Sequence, residues 1–139
     1  MIVGLHDAER DHMPCKTFPN LALMKISAYH KARDDTVIWW AVSGKQACDV
    51  VYSSKVFSFT PVNPHLPPGT IKGGTGYGLY AGLPEEIDRC FPDYSIYPDC
   101  DYAVGYITRG CPNRCPWCVV HLSEIRDKGT YQKSIVIRN

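Results

Sequence analysis

Three cysteines near the carboxyl end of the chain have the residue type and spacing of a metal-binding loop. They are Cys111, Cys115 and Cys118, separated by three and then two residues. Thiolates on so short a loop can reach one metal centre, and three protein ligands leave a further coordination position open for a cofactor or substrate. The spacing therefore predicts a metal site at which chemistry can occur.

Three interpretations of this loop follow from the residues. The thiols bind an iron–sulfur cluster, or they bind structural zinc with Cys100 or His121 as a fourth ligand, or they are unligated. Structural zinc sites usually pair a Cys-x2-Cys turn with a second two-ligand turn, and the sequence has no clear second turn. Clustered cysteines in a loop with Gly and Pro are seldom only packing residues. The residues favour the iron–sulfur cluster.

Composition excludes several other function classes. The 139 residues are 45% hydrophobic and 21% charged with a net charge of +1, which predicts one modest core and argues against a nucleic-acid partner. No apolar stretch near the amino terminus has the length of a signal peptide or membrane span, because polar residues begin at His6. We therefore expect a cytoplasmic protein without membrane contact. Seven cysteines, an odd number, suit metal ligation better than a disulfide framework.

The elements that position the loop follow from hydrophobic patterning. Short apolar or β-branched runs predict strands, and apolar residues at helical spacing behind Pro19 and Pro84 predict two helices. The predicted strands are Ile2–Leu5, Thr36–Trp40, Asp49–Ser53 with Val56–Phe57, Ile71–Lys72 and Tyr102–Ile107. Parallel neighbours need crossover connections, so this order predicts an α/β fold, a mainly parallel sheet covered by helices.

Two further features concern organisation. The segment Tyr94–Asp99 resembles a boundary, and it divides the chain into an α/β domain over residues 1–98 and a cysteine-containing region over residues 99–139. The Gly-rich run Gly73–Gly78 lacks the context of a phosphate-binding loop, so we interpret it as a structural turn.

The pattern Cys-x3-Cys-x-aromatic-Cys, with Trp117 as the aromatic residue, resembles the signature of the radical S-adenosylmethionine superfamily. The resemblance implies that the three cysteines hold a [4Fe–4S] cluster, whose fourth iron binds S-adenosylmethionine. It also implies that Trp117 contacts the adenine. The cluster loop of that family follows the first strand of a partial (β/α) barrel, which is the place that the predicted strand Tyr102–Ile107 would take.

The resemblance extends upstream of the cysteines. The phrases Pro19–Lys25, Lys72–Tyr77 and Pro84–Ile87 are similar to the Rossmann-like domain that precedes the barrel in cobalamin-domain-type members. The implied fold is therefore a Rossmann- or flavodoxin-like sheet followed by the first strand and cluster loop of a barrel.

The sequence departs from the family pattern in two ways. The cobalamin-binding signature Asp-x-His-x-x-Gly is absent, so no cobalamin is predicted. Only 21 residues follow Cys118, whereas the rest of a partial barrel needs about 150. We therefore expect an incomplete barrel and a chain that does not complete catalysis alone.

Two functions are compatible with these residues. The chain is the amino-terminal portion of an enzyme that cleaves S-adenosylmethionine reductively, or it is a non-catalytic binding, regulatory or inhibitory module with zinc or no metal at the cysteines. In either case an exposed barrel edge would favour a protein partner or self-association. The sequence identifies neither the substrate nor further catalytic residues.

Overall fold

A parallel sheet of four strands, in the order β2-β1-β3-β4, forms the amino-terminal part of the protein. The computed structural model describes residues 1–13, 18–41, 47–106, 115–118 and 134–138, and for residues 106 and 134–138 it describes the backbone alone. The strands of the sheet are β1 Ile2–Asp7, β2 Thr36–Trp39, β3 Val50–Ser54 and β4 Ile71–Gly73. The described helices are α1 Ala8–His12, α2 Leu21–Lys31 and α3 Glu85–Asp88, with 3-10 turns over Thr75–Tyr77 and Tyr94–Ile96. The predicted α/β class with a parallel sheet is confirmed.

Strand β1 lies at the centre of this sheet. Its Val3 is in register with Val37 of β2 on one side, and its Gly4 is in register with Val51 of β3 on the other. A Cβ atom at Gly4 would lie 2.9 Å from Cys48 Sγ and 3.2 Å from Val51 Cγ2, so glycine allows these side chains to pack closely on the strand. The strand also runs two residues beyond the predicted Ile2–Leu5, through His6 and Asp7, because both polar side chains find partners in the folded protein.

Helix α2 supplies the apolar layer that covers one face of the sheet. The prediction placed Pro19 in its first turn, but the helix begins after Asn20, whose side chain caps it by accepting from the Leu23 N–H at 3.2 Å. Leu23 and Ile26 are buried against Val3 and Leu5 of the central strand. The hydrophobic core therefore lies between one helix face and one sheet face.

The helix predicted behind Pro84 is a single turn, α3, and ends at Asp88 rather than continuing to Phe91. Its Ile87 joins the core, whereas Phe91 is 81% exposed. Burial of Ile87 stabilises the single turn. A second turn would not be stabilised in the same way, because Phe91 has no place in the core.

Asp93 connects the segment that follows α3 to helix α2. Its Oδ2 accepts hydrogen bonds from Ser27 Oγ at 2.6 Å and from Lys31 Nζ at 2.7 Å, and its backbone N–H donates to the Met24 carbonyl. Burial acts to raise the pKa of the Asp93 carboxyl, but the hydrogen bonds from Lys31, Ser27 and Ser95 outweigh it and lower the pKa to about 2.

A separate pair of antiparallel strands contains the approach to the cysteines. Strand β5, Tyr102–Tyr106, pairs with β6, Ser134–Arg138. The predicted strand Tyr102–Ile107 is thus observed almost to its end, and β6 occupies one of its two edges. A (β/α) barrel is built from parallel strands, so this pairing does not confirm the barrel, which stays a prediction. The division of the chain after residue 98 also stays a prediction.

The lowered pKa of Asp93 predicts a pH dependence of stability. A carboxyl whose pKa is lower in the folded state stabilises the protein above its unfolded pKa of about 4, and the contribution is lost as the pH falls towards 2. Asp93→Asn should lower the free energy of unfolding by about 1–2 kcal/mol at pH 7 and by much less near pH 2. Urea denaturation at pH 7, 4 and 2.5 measures both values.

Asp101→Asn, a change at an exposed carboxyl, is the matched control and should leave the stability profile unchanged. An equal loss of stability at every pH in Asp93→Asn would contradict the assignment of the pH dependence to this carboxyl.

Candidate functional site

Two of the three predicted metal ligands lie together in a turn. The Cys118 N–H donates to the Cys115 carbonyl at 3.1 Å, which brings the two cysteines to the ends of one tight turn. Both are free thiols and both are partly exposed. Trp117 lies between them and is 86% exposed. Cys111 falls outside the described residues, as does His121.

The donor chemistry of this turn fits a thiophilic metal centre. Metal ligation requires thiolates that can be reached from solvent, and partial exposure of Cys115 and Cys118 provides that access. Cys100, a candidate fourth ligand for zinc, donates from Sγ to the Tyr102 carbonyl at 3.2 Å. Within the described parts of the chain, no group of three His, Cys, Asp or Glu side chains is positioned to hold a metal ion. Cys111 lies outside those parts.

Tyr94 attaches strand β5, and hence the start of the cysteine region, to the parallel sheet domain. Its hydroxyl accepts from the Val104 N–H at 2.9 Å and donates to the Val104 carbonyl at 3.3 Å. Phe18, just before helix α2, contacts the ring of Tyr102 edge to face, with 6.5 Å between centroids. The strand that leads to the cysteines is therefore held beside the amino end of α2.

A second group of polar residues lies at the carboxyl edge of the sheet. From β1 the chain passes through α2 to β2 on one side, and then crosses to β3 on the other side of β1. Open parallel sheets bind ligands outside the carboxyl ends of their strands at such a reversal of direction. The residues at this edge are Asp7 and His6 of β1, and Ser53 and Ser54 of β3.

Two hydrogen bonds fix the part of this edge that faces α2. The Tyr97 hydroxyl donates to Asp7 Oδ2 at 2.7 Å, and Asn20 Nδ2 donates to Ser54 Oγ at 2.8 Å. Burial, together with the Asp7 carboxylate, raises the pKa of Tyr97, so this phenol stays protonated and remains a donor. These polar groups are satisfied by the protein itself and act as structural connections.

On the other side of the edge, four side chains form a continuous hydrogen-bonded series. Asp11 Oδ2 lies 2.9 Å from His6 Nε2, His6 Nδ1 lies 2.8 Å from Ser53 Oγ, and Ser53 Oγ lies 2.7 Å from the Tyr77 hydroxyl. We call these four residues the edge relay. His6 and Ser53 are buried, whereas the Asp11 side chain is 43% exposed and Tyr77 is partly exposed. The series therefore runs from one accessible group through the protein to another.

Glu9 holds the loop that follows β3 against this edge. Its Oε1 accepts from the backbone N–H groups of Val56 and Phe57 at 2.9 and 3.2 Å, although the prediction had extended a strand through these two residues. Glu9 is only 1% exposed, and its Oε2 has no hydrogen-bond partner, as is also true of Thr60 Oγ1 in the same loop. These are the two unpartnered buried side-chain oxygens of the described residues.

The glycine-rich run packs on the same loop and has a structural role. Gly74 has φ +103°, and a Cβ there would lie 2.3 Å from the Lys55 carbonyl oxygen. The N–H groups of Gly76 and Tyr77 donate to the carbonyls of Lys55 and Gly74, so they are not available to a phosphate. This geometry supports the interpretation as a structural turn.

Sequence reasoning did not identify the edge relay. The polar pair that closes the first apolar run, His6 and Asp7, was the available signal, because strand ends of a parallel sheet meet at one edge. The partners Ser53 and Tyr77 carry no comparable signal, since their approach depends on strand order and on the path of the loop that contains Gly74.

No protein-family model, curated protein or solved structure matches this chain. Within the described residues, no helix has both the length and the apolar character needed to cross a membrane. The functional assignment therefore depends on the residues and their geometry.

The close approach at Gly74 predicts a large cost for a side chain there. Gly74→Ala should lower the free energy of unfolding by about 2–4 kcal/mol, because the residue adopts a positive φ and its Cβ would collide with a backbone carbonyl. Chemical denaturation followed by circular dichroism measures the change.

Gly82→Ala is the matched control. No atom lies within 4 Å of a Cβ at Gly82, so its substitution should change stability by less than about 0.5 kcal/mol. Equal effects of the two substitutions would show that the packing of Gly74 on Lys55 is not what requires glycine.

Proposed function

We propose that the chain binds a [4Fe–4S] cluster through Cys111, Cys115 and Cys118 and serves reductive cleavage of S-adenosylmethionine, as a radical S-adenosylmethionine-type protein. The observation that carries the proposal is the Cys-x3-Cys-x2-Cys motif with Trp117 before its last cysteine, a few residues beyond the end of strand β5. A Rossmann-like character for the parallel sheet and a barrel-type continuation from β5 belong to this proposal.

The described cysteines support this proposal through their placement and exposure. The turn from Cys115 to Cys118 carries two partly exposed thiols at the ends of a single hydrogen-bonded loop. Ligation needs their thiolate forms, and partial exposure leaves both sulfurs accessible to a metal ion from solvent. When bound, the cluster supplies the electron that breaks a carbon–sulfur bond of the sulfonium in S-adenosylmethionine.

Trp117 provides the second component of the proposed site. An indole that is 86% exposed beside two candidate ligands offers a flat apolar surface on which an adenine can stack. This exposure leaves the ring available for stacking, which supports the proposed adenine contact.

Zinc at the same cysteines is the second candidate, with a non-catalytic binding or regulatory role. The observation that favours it is the Cys115–Cys118 turn itself, because a Cys-x2-Cys turn is also one half of a structural zinc site. The two candidates differ in the metal that the purified protein retains and in its response to S-adenosylmethionine.

Anaerobic reconstitution with iron and sulfide should yield about four irons and four sulfides per chain and a broad absorbance near 400 nm. The reduced cluster should change its electron paramagnetic resonance spectrum when S-adenosylmethionine is added, because that cofactor binds the open iron. Cys115→Ser should remove most of the iron, since three thiolates are needed to hold the cluster.

Cys90→Ser is the matched control, because Cys90 is a free thiol that lies far along the chain from the motif and donates only to the Glu86 carbonyl. It should retain wild-type iron content. Tightly bound zinc, or unchanged iron in Cys115→Ser, would exclude the cluster assignment.

Trp117→Ala tests the adenine contact separately from the metal. The variant should retain its iron and sulfide but bind S-adenosylmethionine about tenfold more weakly, as expected for loss of about 1–2 kcal/mol of stacking. Titration of the cofactor against the spectrum of the reduced cluster gives the affinity.

Phe91→Ala removes another highly exposed aromatic ring and should leave that affinity unchanged. If Trp117→Ala bound the cofactor as tightly as the wild type, Trp117 would have no role in the site.

A further inference from the structure

The edge relay connects two partly exposed groups through a buried histidine. Its ends are the Asp11 carboxylate and the Tyr77 hydroxyl, and its interior members are His6 and Ser53. All three links are 2.7–2.9 Å long, which is the range of good hydrogen bonds. Ser53, Tyr77 and His6 can each donate and accept a hydrogen bond, and the Asp11 carboxylate can accept one.

The relay has two complete hydrogen-bonding patterns, and they differ in direction. With neutral His6, its Nε2–H donates to Asp11, Ser53 donates to His6 Nδ1, and Tyr77 donates to Ser53. With the imidazolium, Nδ1–H donates to Ser53 and Ser53 donates to Tyr77. The phenolic proton of Tyr77 is then free to point away from the relay, so the state of His6 decides whether Tyr77 can donate to a bound molecule.

The surroundings of Tyr77 are positively charged. The Nζ atoms of Lys55 and Lys72 lie 5.6 and 5.7 Å from the centroid of its ring. Among the described residues the lysines in ion pairs are Lys25 and Lys31, so neither ammonium beside Tyr77 is neutralised by a carboxylate there. Lys55 is also only 5% exposed, and its Nζ donates to the Ser58 carbonyl at 3.3 Å, a neutral acceptor that leaves the buried ammonium without a counter-ion. An anion beside Tyr77 would offset the cost of burying this charge.

We propose that Tyr77, with Lys55 and Lys72, binds an anionic oxygen group, a carboxylate or a phosphate, and gives it a proton through the edge relay. The bound oxygen takes the phenolic proton, Tyr77 takes the Ser53 proton, and Ser53 takes the proton from His6 Nδ1. The imidazolium becomes neutral, and the Asp11 carboxylate keeps its hydrogen bond to Nε2. Three protons each shift along one hydrogen bond, and the net result is the transfer of one proton from His6 to the bound oxygen. No electron is transferred, so no other reactant is needed.

Among the described residues, the charged groups on the relay side of this edge are the Asp11 carboxylate, which also accepts from Asn63 Nδ2 at 3.3 Å, the ammonium groups of Lys55 and Lys72, and the Glu9 carboxylate. The Glu9 carboxylate is buried, and its Oε1 accepts from the N–H groups of Val56 and Phe57. The Trp40 ring packs edge to face on His6, with 5.6 Å between centroids, and brings no charge. None of these residues belongs to the cysteine motif, so this site and the proposed cluster are independent and can fail separately.

Binding is tested on the full chain, without reconstitution of any metal, by two-dimensional NMR titration with inorganic phosphate and with acetate. Saturable shifts centred on Tyr77 are expected with the anion that the site accepts, and the comparison of the two probes distinguishes phosphate from carboxylate. Tyr77→Phe and Lys72→Ala should each weaken binding at least fivefold. Affinity should also be lower when His6 is neutral than when it is an imidazolium, because only the imidazolium pattern leaves the phenolic proton of Tyr77 free.

Arg89→Ala is the control for loss of one positive charge, because Arg89 is exposed and pairs only with Glu85 on its own helical turn. It should bind the probe as the wild type does. Absence of saturable binding by either anion, or equal weakening in Arg89→Ala, would overturn the anion site.

Proton transfer along the relay is tested by following the His6 ring nitrogens and the Tyr77 ring carbon that bears the hydroxyl during a pH titration. The two residues should change with one common midpoint. In Ser53→Ala, His6 should still titrate while the response of Tyr77 at that midpoint disappears, and Ser95→Ala should behave as the wild type. If the Tyr77 signal of the wild-type chain did not change at the midpoint of the His6 signal, the relay would be overturned.

Discussion

The central position of strand β1 is the constraint on which the rest of the structure depends. Its backbone pairs with a parallel neighbour on each side, and its successive side chains point to opposite faces of the sheet. Leu5 enters the core beneath helix α2, and His6 enters the opposite face beside Ser53. Any shift of this strand by one residue would exchange the two faces and place an imidazole in the apolar core.

Parallel pairing also concentrates polar groups at one end of the sheet. The strand ends at Asp7 and Ser54 are both buried, so their side chains need partners from elsewhere in the chain. Tyr97 and Asn20 supply these partners, although Tyr97 is separated from Asp7 by 90 positions. The segments that cover the carboxyl edge are thus held by hydrogen bonds, and the apolar core lies deeper in the sheet.

The edge relay and the cysteine turn are held in place by different kinds of connection. The edge relay is built into the sheet itself, because two of its members, His6 and Ser53, face each other in register on adjacent strands. The cysteine turn is held more locally, by one backbone hydrogen bond between Cys118 and Cys115. Its connection to the sheet runs through strand β5 and the two hydrogen bonds that Tyr94 makes with Val104. Under the proposed function, a metal centre would add cross-links to this turn.

The sequence by itself determined the α/β class, the approximate positions of strands β1 to β5 and of helix α2, and the cysteine spacing. These depend on local periodicity and on contacts close along the chain, which the order of residues records directly. Only the tertiary structure decided that α3 is a single turn, that β5 pairs antiparallel with β6, and that Asp11, His6, Ser53 and Tyr77 form one series. Those outcomes depend on which distant segments meet, and the pairing of His6 with Ser53 follows from strand order, which no local pattern in the chain records.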